Sequence, residues 1–150
     1  MLASIKQRKS IAIIGGGQSG ATACKACLEE GFDVVVYERT AYTCGLWRYR
    51  PVPEEGVGSV AKSTLNFSSK EMFAFSDFPP DPRVPNYMTH TEVVKYFEAY
   101  NETFNYEKYV KLRHEVTRVE PNADYESTGR WKVSVKDHNN AGEESERVFD

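Results

Sequence analysis

The sequence predicts an α/β fold that opens with a βαβ unit and continues through a long loop, a helix and antiparallel strands. Three observations carry this. A short apolar run, Ser10 to Ile14, stops at Gly15-Gly16-Gly17. Small and helix-forming residues follow from Gln18 to Glu30, and a second apolar run covers Asp33 to Glu38. Strand, glycine turn, helix and strand in that order make a right-handed crossover with two parallel neighbours, a Rossmann-like start.

Each element has a local reason. The first run is short, isoleucine-rich and ended by glycine, as a buried parallel strand is. The helix has Gly31 beyond its end as a C-terminal stop. The second run, Asp33-Val34-Val35-Val36-Tyr37-Glu38, is continuous and β-branched, which fits a strand covered on both faces. Arg39 to Lys62 lacks a period and contains Pro51, Pro53, Gly56 and Gly58, so it reads as a long loop; loops of such length are usually functional. Ser63 to Asp77 has no firm assignment, and Pro79, Pro80, Pro82 and Pro85 then forbid a helix. Thr89 and Glu92 have capping-box spacing before Val93, Phe97, Tyr100 and Phe104, which predicts a core-facing helix. His90 sits at the mouth of that helix, in capping company. Arg113 to Glu120 and the alternating Trp131-Lys132-Val133-Ser134-Val135-Lys136 read as strands, with Asn139 to Gly142 as a turn. Arg147 to Asp150 is expected to be a strand cut off as it begins.

Composition narrows the function class. The 150-residue chain is 40% hydrophobic and 27% charged, the balance of a globular domain, and its net charge of −3 offers no basic footprint for nucleic acid. No apolar run is long enough for a membrane span. Lys6, Arg8 and Lys9 precede too short an apolar run for a secretory signal, so residues 1–9 are read as a polar arm on a cytoplasmic protein. Three cysteines, Cys24, Cys27 and Cys44, disfavour a disulfide framework. Cys24 and Cys27 are one helical turn apart with no partner pair or histidine nearby, so they read as small buried side chains rather than a metal or redox site.

Gly15-Gly16-Gly17-Gln18-Ser19-Gly20 fits G-x-G-x-x-G. Gly15 permits the tight turn, Gly17 lets the backbone approach a pyrophosphate, and Gly20 allows close packing of helix on strand. The helix start at Gln18 and Ser19 supplies free N–H groups and the positive end of a dipole. Glu38 ends the second strand about twenty residues further on, where a carboxylate accepts ribose hydroxyls. A carboxylate there disfavours the 2′-phosphate of NADP at this first site and leaves NAD and FAD open.

Longer strings separate the two. Glu38-Arg39 followed by Cys44-Gly45-Leu46-Trp47-Arg48-Tyr49 resembles the E-R … G-G-L-W-R-[FY] segment of flavin-containing monooxygenases. Lys70-Glu71-Met72 and Phe75-Ser76-Asp77-Phe78-Pro79 resemble that family's K-E-M … [YF]-S-D-F-P segment. Cys27-Leu28-Glu29-Glu30-Gly31 and Pro85-Asn86-Tyr87 fit as well. The resemblance runs from Ser10 through nearly the whole chain. It implies FAD at the first glycine motif, with Glu38 on the adenosine ribose and Gly45, Leu46, Trp47 and Ser68 also along the cofactor. It implies NADPH as reductant, and a C4a-hydroperoxyflavin that delivers oxygen from dioxygen to soft nucleophilic nitrogen or sulfur in a small-molecule substrate. It adds the cytosolic face of the endoplasmic reticulum membrane as a location.

Three departures accompany the resemblance. Cys44 stands where the family has the first glycine of a pair; cysteine enters positive φ at a cost, so the loop is expected to run differently near the pyrophosphate. The family's active-site asparagine lies three residues before the K-E-M lysine, which here is Phe67, with Asn66 one residue early. A local bulge over Leu65 to Ser69 is expected to turn Asn66 toward the flavin as the catalytic amide. Finally, no second glycine motif occurs in 150 residues. Residues 10–150 are therefore expected to be a partial FAD-binding domain, a fragment or truncated product without the NADPH-binding domain and inactive alone. The alternatives are a non-catalytic dinucleotide-binding fragment and an NAD-dependent dehydrogenase; the latter calls for further alternating β and α units after Glu38.

Overall fold

The computed structural model describes residues 8–150 of the chain, so residues 1–7 of the expected polar arm lie outside the described residues. Strand β1 (Ser10–Ile14), helix α1 (Gln18–Glu29) and strand β2 (Asp33–Glu38) form the predicted crossover unit. The two strands are parallel and pair Ile11 with Val34 and Ile13 with Val36. Gly31, at φ 81°, takes the left-handed position after α1 that a side chain would disfavour.

β2 is the middle strand. A third parallel strand, β3 (Val110–Leu112), pairs with its other edge, setting Val36 against Val110 and Glu38 against Leu112. Successive side chains of a strand point to opposite faces, and β2 uses both. Val34 and Val36 pack with Ala21 and Cys24 of α1 and with Tyr100 and Tyr106. Val35 and Tyr37 pack on the other side with Val133, Val135 and Phe149. Those last residues belong to a separate antiparallel sheet, β4 (His114–Pro121), β5 (Trp131–Asp137) and β6 (Glu143–Phe149), in that spatial order. A four-residue helix, α4 (Tyr125–Thr128), lies in the β4–β5 connection. The protein is thus layered: helices, a parallel sheet and an antiparallel sheet.

Two sequence expectations change here. The strand read from Arg113 begins one residue later, as β4 at His114, because Arg113 itself has φ 58°; the residues before it form β3, which sequence did not offer. The last strand is not cut off as it begins: β6 has seven residues, pairs with β5 along its length, and brings Phe149 to 4% exposure in the core.

The remaining helix, α3 (His90–Thr103), starts with the predicted capping box. The Glu92 N–H donates to Thr89 Oγ1 at 3.3 Å and the Thr89 N–H to Glu92 Oε2 at 2.8 Å. Its inner face organises the stretch that sequence leaves unassigned. Phe75, Phe78 and Phe104 surround Tyr100 with ring centroids 4.9, 5.5 and 4.6 Å away. The Tyr96 hydroxyl accepts from the Phe75 N–H and donates to the Phe78 carbonyl, at 2.9 and 2.6 Å. A short helix, α2 (Lys70–Phe73), precedes this aromatic strap and is capped by Ser69.

Met88 is fully buried just before α3, in a cluster with Cys44, Val93 and Phe97. Met88→Ala removes that packing and is expected to cost about 2–5 kcal/mol, read from urea unfolding at constant m-value. A loss under about 1 kcal/mol would mean that the cluster collapses into the space.

Candidate functional site

The site forms where β1 and β2 end. Gly15 continues the parallel ladder, its N–H donating to the Tyr37 carbonyl at 2.8 Å, and then turns at φ 103°. Gly20, on the first turn of α1, passes so close to the Gly15 carbonyl that a Cβ there would lie 2.1 Å from the oxygen. The helix therefore starts directly on the strand end, the packing role read for the third glycine. Gly17 is the N-cap and α1 has no side-chain cap, so the first N–H groups of α1 receive no side-chain acceptor.

Glu38 faces this loop. Its Oε2 accepts the Gly16 N–H at 2.7 Å and its Oε1 accepts the Thr40 N–H at 2.8 Å, with the residue 8% exposed. The carboxylate thus joins the glycine turn to the chain leaving β2. Each carboxylate oxygen has two acceptor positions, so the bridge leaves capacity for ribose hydroxyls. Gly16 has its own reason to lack a side chain: a Cβ would lie 2.8 Å from that of Glu38. Beside Glu38 opens a cavity of about 280 Å³ bordered by Gly15, Tyr37, Arg39, His114 and Val116. It adjoins a polar one of about 510 Å³ that also includes Arg39.

The long loop returns to the glycine turn as a 3₁₀ turn, Gly45–Trp47. The Cys44 N–H donates to the Gly16 carbonyl at 3.2 Å, and Gly45 packs on Gly17 so closely that a Cβ on Gly45 would be 3.3 Å from the Gly17 Cα. Cys44 enters positive φ in spite of its Cβ. Cys44 adopts φ 74°, the conformation a glycine would take, and buries its side chain to 2% exposure among Met88, Val93 and Phe97. Burial raises its thiol pKa. Arg48 anchors the turn from below, donating to the Thr43 carbonyl and reaching Glu98 of α3 at 2.6 Å. Trp47 leans edge-on against Phe73, centroids 5.7 Å apart, while Leu46 is 56% exposed.

Asn66 and Phe67 take opposite sides of their segment. Asn66 is 4% exposed and Phe67 is 93% exposed. The Asn66 N–H donates to the Met88 carbonyl at 2.8 Å, and its side-chain amide donates to the Ser68 carbonyl at 3.2 Å. Leu65 bridges to Thr89 in isolation, which holds the segment at the head of α3. Asn66 is thereby tied to Met88, whose side chain packs with Cys44 in the cluster that Trp47 joins. His90 stacks obliquely near Tyr49, centroids 5.5 Å apart, and its N–H donates to the Thr64 carbonyl.

Cys24, by contrast, lies in the core at 1% exposure, and burial, reinforced by Cys27, pushes its thiol up to about 11. Among the described residues no three His, Cys, Asp or Glu side chains converge as a metal site, and no helix is long and apolar enough to cross a membrane. Sequence reasoning quoted Arg48 only as part of the G-G-L-W-R-[FY] string, without its partners, and missed Thr40 and Glu98, whose types carry no motif. Glu38→Gln puts an N–H donor in place of one of two acceptors that face backbone N–H groups. The variant is expected to lose roughly 1–3 kcal/mol in the ligand-free protein, measured by denaturant unfolding. Unchanged stability would show that the bridge is dispensable.

The sequence matches the flavin-binding monooxygenase-like family over residues 8–150. It is 42% identical over 143 residues to flavin-containing monooxygenase 5 of Cavia porcellus, covering 95% of this chain and 26% of that protein. It is 36% identical over 142 residues to dimethylaniline monooxygenase [N-oxide-forming] 2 of Cavia porcellus, again 95% of this chain and 26% of that one. The fold superposes on S-allyl-L-cysteine S-oxygenase from Allium sativum with a TM-score of 0.85 at 26% identity, over 96% of this chain and 35% of that one. The chain spans about a quarter of the length of the curated relatives it matches. Along its whole described length, from before the first strand to the third antiparallel strand, the chain belongs to the flavin-binding monooxygenase-like family.

Proposed function

We propose that the chain is the FAD-binding part of an FAD- and NADPH-dependent monooxygenase that transfers oxygen to soft nucleophilic nitrogen or sulfur. The observation that carries the reading is the Glu38 carboxylate bridging Gly16 and Thr40 beside the uncapped start of α1. A dinucleotide needs a ribose acceptor at one end of the glycine turn and unpaired N–H groups at the other, and both are present. The donor set fits FAD. Gly17 leaves room for backbone to approach phosphate, since a Cβ there would sit only in ordinary contact, 3.7 Å from Gly45.

Bound FAD would supply the redox and oxygen-activating chemistry, and the protein's part is to bind, orient and shield. In this reading Glu38 takes the ribose hydroxyls, and the backbone from Gly15 to Ser19 takes the pyrophosphate. Gly45, Leu46 and Trp47 line the cofactor's path beyond it, with Ser68 near the flavin. Asn66 is the catalytic amide, since a buried carboxamide can donate and accept where the exposed Phe67 can do neither. Residues 10–150 are then a partial FAD-binding domain, and the further length of the relatives leaves room for an NADPH-binding domain. The N-oxide-forming and S-oxygenating activities named for two relatives support soft nitrogen or sulfur as the acceptor. Family resemblance supports the cytoplasm or the cytosolic face of the endoplasmic reticulum membrane as the location.

The complete protein is expected to purify yellow with bound FAD. Gly17→Ala should fold as the parent does and bind FAD more weakly, whereas Gly17→Val should lose the flavin, because its added methyls occupy the phosphate approach. Full flavin content in the valine variant would put the cofactor elsewhere. In the complete enzyme, Asn66→Ala should keep consuming NADPH while product formed per NADPH falls severalfold. Unchanged coupling would remove Asn66 from the chemistry.

A further inference from the structure

Another cavity lies away from the glycine turn. It opens between α3 and the proline-rich loop that follows the aromatic strap, has a volume of about 320 Å³, and shares no lining residue with the two cavities near Glu38. Pockets for small molecules start at about 300 Å³. Its surface is almost wholly hydrocarbon, supplied by Phe78, Pro79, Pro80, Val84 and the exposed Ala99.

Both walls are braced. The Tyr96 hydroxyl of α3 donates to the Phe78 carbonyl at 2.6 Å. The Lys70 ammonium of α2 donates to the Pro82 and Val84 carbonyls at 2.7 and 2.8 Å, and the Val84 N–H donates to the Asp81 carbonyl at 3.1 Å. Proline rings fix the backbone between these ties. A pocket whose walls are already ordered loses little freedom when it is filled.

The charges at its edge are unequal in their commitments. Asp81, Glu92 and Lys95 border the cavity. Asp81 is held by Arg83, whose backbone N–H and Nε both lie 2.9 Å from Oδ1. Glu92 is the capping-box acceptor, taking the Thr89 N–H and hydroxyl at 2.8 and 2.9 Å at the positive end of α3. Lys95 is exposed on the next turn and makes no salt bridge among the described residues. An apolar slot with one uncommitted cation at its edge suits an apolar tail with one negative head. A methylene is close in size to a water molecule, whose share of liquid volume is about 30 Å³. The space therefore takes a chain of roughly eight to ten carbons.

We propose that this groove binds a medium-chain aliphatic carboxylate, with the chain against Phe78, Pro80 and Val84 and the head at Lys95. The site is separate from the glycine turn, so it stands or falls apart from the FAD reading.

The test measures octanoate binding to the complete protein by equilibrium dialysis, with octan-1-ol as the uncharged match. Ala99→Trp fills the groove from an exposed helix position, and Lys95→Glu reverses the charge at its edge. The parent is expected to bind one octanoate per chain. Ala99→Trp should abolish that binding at an unchanged thermal midpoint. Lys95→Glu should weaken octanoate by about fivefold and leave octanol unchanged, the effect of an exposed ion pair. Bound flavin should stay the same in both variants. Absence of saturable octanoate binding by the parent would overturn the proposal, and is the result if a later segment of the chain covers the groove. Binding that both variants leave intact would overturn it too, as would equal losses of octanoate and octanol in Lys95→Glu. If Ala99→Trp lowers the midpoint, Lys95→Glu decides alone, because it changes only an exposed side chain.

Discussion

The structure depends on β2 being buried on both faces. A strand covered on one side alternates apolar and polar residues; one covered on both reads as an unbroken apolar run. Val34 and Val36 hold α1 and the Tyr100–Tyr106 region on one face, while Val35 and Tyr37 hold the antiparallel sheet on the other. Residues 34–38 are all buried. Every layer of the molecule therefore takes its position from six residues. The last of them, Glu38, is delivered to the glycine turn by the same geometry that builds the core. Site and fold are not separable here: a shift of β2 by one residue would exchange its two faces and turn Glu38 away from Gly16.

The glycine turn shows how the layers set a chemical geometry. Gly20 lies against the Gly15 carbonyl, which brings the start of α1 onto the end of β1. Gly45 lies against Gly17, which brings the second loop onto the first. Neither approach tolerates a side chain at the crowded glycine without displacement. Electrostatic attraction between helix N–H groups and an anion is strongest where the helix end lacks competing acceptors. The absence of a side-chain cap on α1, a small stability loss by itself, leaves those N–H groups available.

Much of this was legible in the sequence, for reasons that differ by element. The βαβ unit, the capping box at Thr89 and Glu92 and the β5 alternation rest on local patterns, and local patterns survive in the fold. The strand β3 did not announce itself, because three residues cannot carry a period and Arg113 breaks the run in the left-handed region. The aromatic strap from Phe75 to Phe78 has no helix or strand to predict; it is ordered by contacts to Tyr96 and Tyr100, some twenty residues away in the chain. For the site, glycines and Glu38 are readable because their spacing encodes a turn, a helix start and a strand end. The contacts of Thr40 with Glu38 and of Arg48 with Glu98 are not, since they form only after the loop has closed.

Cys44 shows why a local rule failed. Positive φ at a residue with a Cβ costs roughly 1–2 kcal/mol, and from that the loop was expected to avoid it. The rule weighs the backbone alone. Here the side chain is almost wholly buried between Met88, Val93 and Phe97, and burying a methylene and a thiol returns about 1–2 kcal/mol at about 0.8 kcal/mol per CH₂-sized group. The two effects are of equal size, so packing offsets the backbone cost of the left-handed conformation. Burial also raises the thiol pKa, keeping the sulfur neutral and suited to packing rather than to nucleophilic or metal-binding work. A cysteine beside the glycine turn thus acts as a small hydrophobe that ties the Gly45–Trp47 turn to α3.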